Sequence, residues 1–280
     1  MATNNQHPTT NNVLTHPTIG VFDSGFGGLT VLRALLPRIP AAHYIYLGDT
    51  ARLPYGAKSQ TTVARYAVES AKFLHQQGAG HLVIACNTAT ALALPEITAS
   101  VTIPVTGVID PVIQMTHQHH PTADTLILAT TATVQSHAYR TDCEARGLHP
   151  TEKACPLLVP LIEEGWIDHP VTREVLSIYL REALDTCSPE VVILGCTHYP
   201  LIAPLVAETL QSLGSNAEVV DSAQATAFIV SSPYRNNPDP DPQPATFTCY
   251  ATDSVEKFAR LGSQFLGQPI PDVELIDLGG

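Results

Sequence analysis

The sequence predicts an α/β fold made of two similar doubly wound, mainly parallel-sheet lobes that face each other across a central cleft. Short apolar runs rich in β-branched residues alternate with helical patterns along the 280 residues, as in parallel sheets covered by helices. Two of these runs end alike, each in a small residue, a cysteine and polar residues. The succession of strand, polar loop and helix at residues 18–29 recurs at residues 125–139.

The first cycle of strands and helices is expected to extend to residue 111. Apolar runs predict strands at residues 18–22, 43–47, 81–84 and 105–109. Apolar periodicity predicts helices at residues 29–36, 61–77 and from Cys86 to about residue 97. The first strand ends in the loop D-S-G-F-G-G, and Pro37 ends the first helix.

The second cycle is expected to start with the strand at residue 125 and its helix through Tyr139. Two segments at 155–161 and 171–184 lead to the next strand. The remaining predicted elements are that strand at 191–194, a helix past 201 to 213, strands at Glu218–Asp221, 247–250 and Val273–Leu275, and a helix at Val255–Leu266. We expect residues 1–17 to be a disordered extension, residues 18–111 plus 218–280 to form lobe one, and residues 112–217 to form lobe two. Residues 231–244 predict a proline-rich loop.

Composition and charge exclude several classes of protein. The net charge of −12 argues against nucleic-acid binding, which needs a basic surface. The longest apolar window, at about residues 82–94, is too short to cross a bilayer, so no membrane association is expected. The N-terminal residues resemble no signal peptide, which favours a cytoplasmic location with six reduced cysteines. No C-x-x-C pair occurs, and the histidines before Pro121 fit a solvated turn, so no metal site is expected.

Two cysteines in matching contexts are the strongest candidates for chemistry. Cys86 follows the run H-L-V-I-A and Cys196 follows V-V-I-L-G, so each is expected at the carboxyl end of a strand, where a helix begins. The positive end of a helix dipole is expected to lower the pKa of such a thiol. A single cysteine in an apolar run usually serves core packing. The repetition instead predicts a site with one thiol on each side.

Other polar residues fall at the same strand ends, each with a structural alternative. Asp23 is either the polar partner of Cys86 or a loop cap. His198 is either a proton carrier for Cys196 or part of an ordinary turn. Thr130 and the hydroxyl residues after it could bind a carboxylate at a helix N-terminus. The carboxylates of the E-E-G turn normally face solvent, and the P-Y-G segment is either a pocket wall or a turn.

Two opposed thiols suit the removal of a proton from one face of a carbon and its return to the other face. A Cys–His hydrolase would leave the second cysteine without a role. The loop D-S-G-F-G-G is not G-x-G-x-x-G and lacks the lysine of a P-loop. No cofactor motif is present, so the reaction is expected to need no cofactor.

Five motifs together resemble the glutamate racemases of the aspartate/glutamate racemase superfamily. They are I-G-V-F-D-S-G-x-G-G-L-T-V, G-D-T-A-R-L-P-Y-G, C-N-T-A, L-V-P-L-I-E-E-G and G-C-T-H-Y-P, and they extend over about residues 18–267. The resemblance implies a two-lobed α/β enzyme that interconverts L- and D-glutamate and supplies D-glutamate for peptidoglycan. One departure is Ala129 before Thr130, where the family usually has glycine.

The resemblance also assigns roles to residues. It implies that Cys86 and Cys196 transfer protons, that Asp23 assists Cys86, and that His198 and a glutamate of the E-E-G turn assist Cys196. Glu163 fits the family's P-x-x-E position better than Glu164. The implied substrate-binding residues are Asp23, Ser24, Tyr55, Gly56, Asn87, Thr88, Thr130, Thr197 and His198.

Two alternative functions and three kinds of partner also follow from the sequence. A racemase of the same superfamily acting on aspartate or a hydantoin is the nearest rival, and a binding protein such as a gyrase inhibitor is the rival of another class. Both cysteines and their polar partners are present, which argues against a binding role alone. The expected partners are L- and D-glutamate, a second copy of the chain in a homodimer, and a cell-wall precursor as activator.

Overall fold

The structure, a computed structural model, describes residues 16–234, 245–270 and 272–279 and contains two parallel sheets. The strands are β1 (Thr18–Asp23), β2 (His43–Gly48), β3 (His81–Ile84), β4 (Val105–Gly107), β5 (Asp124–Ala129), β6 (His149–Ala154), β7 (Val191–Gly195), β8 (Glu218–Asp221), β9 (Thr246–Ala251) and β10 (Val273–Leu275). One sheet has the order β10-β9-β2-β1-β3-β4 and the other β6-β5-β7-β8. The predicted fold class, a two-lobed α/β architecture, is confirmed.

Helices cover the faces of both sheets. They are α1 (Leu29–Leu35), α2 (Gln60–Gln76), α3 (Asn87–Ser100), α4 (Ile109–His119), α5 (Thr131–Ser136), α6 (Ala138–Ala145), α7 (Leu158–Glu163), α8 (Pro170–Leu184), α9 (Ala203–Ser212), α10 (Ser222–Ser231) and α11 (Val255–Leu266). Short 3₁₀ turns occupy Tyr55–Ala57, Tyr199–Ile202 and Ser232–Tyr234. The apolar residues of β3, β5 and β7 after the first position are almost completely buried, because helices pack on both sides.

The second sheet includes a strand, β8, that was expected in lobe one. β8 pairs in parallel with β7, with Val219 opposite Val192, so the expected return to lobe one at residue 218 is wrong. The following helix α10 packs against both α1 and α4 and so lies between the lobes. A four-residue strand of sequence E-V-V-D carries no signal for which sheet it joins, and only the pairing decides it.

Several elements, among them β6 and α4, were not predicted from the sequence. β6 is a half-buried edge strand of sequence H-P-T-E-K-A, and it lacks the apolar run that reveals a central strand. α4 replaces the expected polar turn, so His117 and His119 lie in its last turn. The helix expected to extend through Tyr139 is broken at His137, whose backbone is left-handed with φ of 55°.

Several expectations concern the ends of the chain and its surface. Residues 1–15 of the expected extension and residues 235–244 of the expected loop lie outside the described residues. Pro17, at the end of that extension, is buried, and its carbonyl accepts the N–H of His43 at 3.0 Å, so sheet contacts start one residue earlier than predicted. In the described ranges no cluster of metal-ligating side chains occurs. No helix there is long and apolar enough to cross a membrane.

Candidate active site

A cavity of about 630 Å³ lies where the carboxyl ends of the two sheets meet. Ligands of open parallel sheets bind at this end of the strands, because helix N-termini and loop N–H groups point there. Both cysteines singled out from the sequence line the cavity. The other predicted site residues in its lining are Ser24, Tyr55, Gly56, Asn87, Thr88, Thr130, Glu163, Thr197 and His198.

Cys86 lies between β3 and α3, at the N-terminus of the helix. Its sulfur accepts the N–H of Ala89 at 3.4 Å and lies 3.5 Å from the hydroxyl oxygen of Ser24. Burial, followed by the negative charge of Asp23, raises the pKa of the Cys86 thiol to about 12. The expected lowering of the pKa at this strand end is therefore wrong for Cys86, and the residue is a thiol at neutral pH.

Cys196 lies at the end of β7 and has a different set of neighbours. Its sulfur is 3.9 Å from Nδ1 of His198, and Nε2 of the same ring is 3.1 Å from Oε1 of Glu163. The imidazole thus connects the thiol to a carboxylate on the last residue of α7. Glu164, the alternative in the doublet, lines the cavity and makes no hydrogen bond to His198.

His198 is held in a closed, largely apolar environment. Its ring packs edge-on against Phe265 with centroids 5.0 Å apart, and Phe26 lies 6.1 Å away. Burial lowers the pKa of His198, but the hydrogen bonds with Cys196 and Glu163 outweigh it and raise the pKa to about 10. The ring is therefore cationic at neutral pH and donates both N–H groups, one toward Cys196 and one to Glu163.

Asp23 is buried at the end of β1 with 1% of its surface exposed. Its Oδ2 accepts the N–H of Gly25 at 2.9 Å, while Oδ1 has no hydrogen-bond partner among the described residues. Burial raises the pKa of Asp23, although the positive charge of His198 and nearby backbone N–H groups oppose the shift. Asp23 does not itself line the cavity, since Ser24 and Gly25 form the wall in front of it.

A cluster of hydroxyl groups joins the two lobes at the floor of the cavity. The hydroxyl oxygen of Thr88, at the start of α3, is 3.0 Å from that of Thr130 and 3.2 Å from that of Thr133. Thr130 caps α5, and its hydroxyl is 2.9 Å from that of Thr133. Two helix N-termini and a set of hydroxyls at one point form a suitable site for a carboxylate.

Asn87 adds an amide beside this cluster. Its Oδ1 accepts the hydroxyl of Tyr139 at 2.6 Å. Its Nδ2 is buried without a partner among the described residues. A buried amide N–H group without an acceptor is costly, so this group is available to an anionic ligand.

The comparisons with known proteins agree with this geometry. The family model for Asp/Glu/Hydantoin racemase matches residues 19–229. The chain belongs to the Asp/Glu/Hydantoin racemase family. A glutamate racemase from Koribacter versatilis (strain Ellin345) is 48% identical over 289 residues, which cover 94% of this chain and 98% of the relative. The predicted resemblance to the glutamate racemases is thereby confirmed, as is the predicted enzyme class, an isomerase of the racemase kind.

Solved structures of other racemases share the architecture of this family member. Glutamate racemase from Francisella tularensis subsp. tularensis SCHU S4, in complex with D-glutamate, has a TM-score of 0.85 and 31% identity, covering 95% of this chain and 99% of that chain. Escherichia coli glutamate racemase, in complex with L-glutamate and the activator UDP-MurNAc-ala, has a TM-score of 0.74 and 27% identity, covering 95% and 100%.

Two inter-lobe contacts set the position of the Cys196 side of the cavity. The hydroxyl of Thr30 in α1 donates to the carbonyl of Thr197 at 3.0 Å. Gly27 lies directly against the same segment, because a Cβ there would come within 2.5 Å of the His198 ring and 2.4 Å of the Thr197 hydroxyl oxygen. The glycine loop, which showed no nucleotide-binding pattern, thus makes room for the histidine from the other lobe.

Some residues that shape the site were not among the sequence-derived candidates. Lys58 lines the cavity and is the single lysine or arginine in the lining formed by the described residues. Gln135 also lines it, and Phe265 of α11 closes the space behind His198. The basic character of Lys58 directly after P-Y-G-A was a usable signal. Nothing in the amphipathic pattern of α11 distinguished Phe265 from an ordinary core residue.

Proposed function

We propose that this racemase interconverts L- and D-glutamate by proton transfer at Cα between Cys196 and Cys86, without a cofactor. The observation that carries the proposal is one cavity lined by two cysteines from the ends of strands in different sheets, each with its own polar partners. The known glutamate racemases with similar sequences and the relatives' complexes with D- and L-glutamate support glutamate as the substrate.

In the direction from L to D, the Cys196 thiolate removes the Cα proton and the Cys86 thiol supplies a proton to the opposite face. The cationic His198 ring stabilises the thiolate of Cys196 before transfer. The raised pKa of Cys86 keeps its proton in place until the carbanion forms. One S–H bond forms as one C–H bond breaks, and one C–H bond forms as the other S–H bond breaks. The reverse reaction uses the same groups with roles exchanged.

In the reverse direction Cys86 must lose its proton, and Asp23 is the proposed acceptor. Its carboxylate has a raised pKa and lies close enough to Cys86 to shift the pKa of the thiol. The unpartnered Oδ1 of Asp23 is the atom available for that proton. Each thiol thus has its own polar partner, and each is proposed to serve the proton transfer on one face of Cα.

The barrier to this reaction is the weak acidity of an amino-acid α-hydrogen. Fixed donors that meet the substrate carboxylate lower the barrier by stabilising the charge that develops on the carbanion. The Nδ2 group of Asn87 and the hydroxyls of Thr88, Thr130 and Thr197 are the proposed donors. The buried positions of Asn87, Thr88 and Thr197 strengthen these interactions, because little water competes for the donors.

Circular dichroism of L-glutamate with the purified protein tests the proposal. The signal is expected to decay to zero, because the enantiomers have equal free energies, and D-glutamate is expected to reach the same end point. The protein is dialysed against a chelator before the assay, and no cofactor is added. If L-aspartate or a 5-substituted hydantoin is racemised faster than glutamate under the same conditions, that compound replaces glutamate as the proposed substrate.

Three further expectations remain proposals for this racemase. It is proposed to supply D-glutamate for peptidoglycan, to form a homodimer, and to respond to a cell-wall precursor. The activator in the Escherichia coli complex supports the last of these. Light scattering tests the dimer, and the rate of racemisation with and without UDP-MurNAc-alanine tests activation.

A further inference from the structure

Asp49 is a carboxylate without exposed surface that lies immediately after β2, outside the cavity lining. Its Oδ1 accepts Nε of Arg52 and the hydroxyl of Thr252, each at 2.9 Å. Its Oδ2 accepts Nε of Arg52 at 2.7 Å and the hydroxyl of Tyr55. Both oxygens are therefore occupied by donors, one of which belongs to the cavity wall.

The hydrogen bonds of Asp49 connect it to the cavity wall and to the backbone of β1. The backbone N–H of Asp49 donates to the carbonyl of Asp23 at 3.1 Å, so the residue is fixed against the end of β1. Tyr55 lines the cavity, and the centroid of its ring lies 6.2 Å from that of Phe22. Gly56, the next residue, lies against Thr130 of the other lobe, with a Cβ position 3.1 Å from that side chain.

Arg52 holds the opposite side of the carboxylate. Its guanidinium lies 4.2 Å from the centre of the Tyr66 ring and pairs with Glu69, both on α2. The carboxylate is thus compensated by a cation that is itself anchored to a helix. A buried charge is stable only with such partners, and it then fixes their geometry.

We propose that Asp49 is a positioning residue of the glutamate site and acts through Tyr55, an inference that rests on the proposed function. The Tyr55 hydroxyl points inward to the carboxylate, so the residue presents its ring and backbone, not its hydroxyl, to the substrate. The carboxylate holds the P-Y-G segment at one distance from Thr130 in the other lobe. The effect is expected on binding, since the hydrogen bonds and the ion pair that the Asp49 side chain makes with described residues reach Arg52, Tyr55 and Thr252 and none of the proposed proton-transfer groups.

The test compares Asp49→Asn, Tyr55→Phe and the double variant in the racemase assay. Each single variant is expected to raise KM for glutamate about ten-fold, which is ~1.4 kcal/mol, with kcat within about two-fold of wild type. The double variant is expected to match the single ones, because both remove the same interaction. Glu69→Gln is the control, since it removes the other partner of Arg52 and leaves the Tyr55 contact; its KM is expected to stay at the wild-type value.

Three results would overturn the inference. They are an unchanged KM in a folded Asp49→Asn variant, effects of the two single changes that multiply in the double variant, and an equal rise in KM for Glu69→Gln. A purely structural role would lower Tm without changing KM.

If Asp49→Asn does not fold, an unchanged KM for Tyr55→Phe overturns the inference equally. If the wild type does not racemise glutamate, the proposed function fails, and calorimetric binding of D-glutamate to the same variants decides on Asp49.

Discussion

His198 and Glu163 are 35 residues apart in the chain, and Nε2 of the first lies 3.1 Å from Oε1 of the second. The contact joins the turn after β7 to the end of α7. It orients the imidazole so that the other nitrogen faces the sulfur of Cys196. The carboxylate therefore sets the direction of the ring and, after the hydrogen bond with Cys196, contributes to its raised pKa.

The charge on His198 is the first prediction. Its pKa is raised to about 10, so the ring is expected to stay cationic up to about pH 9, whereas an ordinary histidine with a pKa of about 6.5 is mostly neutral above about pH 7.5. NMR of Cε1-labelled histidine measures this, and His198→Asn identifies the resonance. Glu163→Gln is expected to lower the pKa, whereas Glu164→Gln leaves it in place. Titration of the wild-type resonance near pH 6.5 would contradict the assignment.

The same contact has a consequence for stability. Because the pKa of His198 is raised on folding, its contribution is fully present below the unfolded value and is lost as pH rises toward about 10. The difference in unfolding free energy between wild type and Glu163→Gln is therefore expected to shrink over that range. Denaturant unfolding at several pH values measures it.

The second prediction concerns the two cysteines. Cys86→Ala and Cys196→Ala are each expected to abolish racemisation in both directions, because each direction needs one acid and one base. Cys187→Ala, a half-buried cysteine outside the cavity lining, is the matched control and is expected to remain active. More than a few per cent of residual activity in either cavity variant rejects the two-thiol mechanism.

The third prediction distinguishes residues that assist proton transfer from residues that bind the substrate. Asp23→Asn and His198→Asn are expected to lower kcat by about 100-fold, while KM changes by less than about three-fold, because both residues are proposed to act on the protonation of a thiol. Steady-state kinetics in both directions give the two constants. A loss of affinity with unchanged kcat would make these residues substrate-positioning groups instead.

The fourth prediction tests the close approach of the two lobes. Gly27→Ala places a methyl group within 2.5 Å of the His198 ring, so the ring or the loop must move. The rate is expected to fall by about 10- to 100-fold, since small displacements of a catalytic group are costly. Gly80→Ala, whose methyl group would meet nothing closer than 3.7 Å, is the control. Equal rates for the two variants would contradict the proposed role of this contact.

The fifth prediction follows the proton. In heavy water, early D-glutamate formed from L-glutamate is expected to carry deuterium at Cα, while recovered L-glutamate keeps its protium. The reason is that, in the proposed mechanism, Cys196 removes one proton and Cys86 delivers another. Mass spectrometry of separated enantiomers at low conversion measures both. Substantial protium in the early product would instead point to a single base that serves both faces.

Much of the fold was determined by local sequence patterns. Apolar β-branched runs bounded by polar loops mark a buried parallel strand, because a strand covered on both faces has no polar side. That pattern located β1, β3, β5 and β7 and, with them, the strand ends that carry Cys86 and Cys196. The motifs around these strand ends also indicated the family.

Tertiary structure decided what depends on contacts between distant segments. The sheet that β8 joins is set by pairing, and the polar edge strand β6 has no apolar signal of its own. The direction of the Cys86 pKa shift follows from burial and from Asp23 on a neighbouring strand, which together outweigh the local helix N-terminus. Likewise, the contact of His198 with Glu163 and the buried carboxylate of Asp49 behind Tyr55 exist only once the chain is folded. Sequence determines which groups a chain can offer, but the free energy of a charge depends on the side chains and solvent around it, and these are set by the packing.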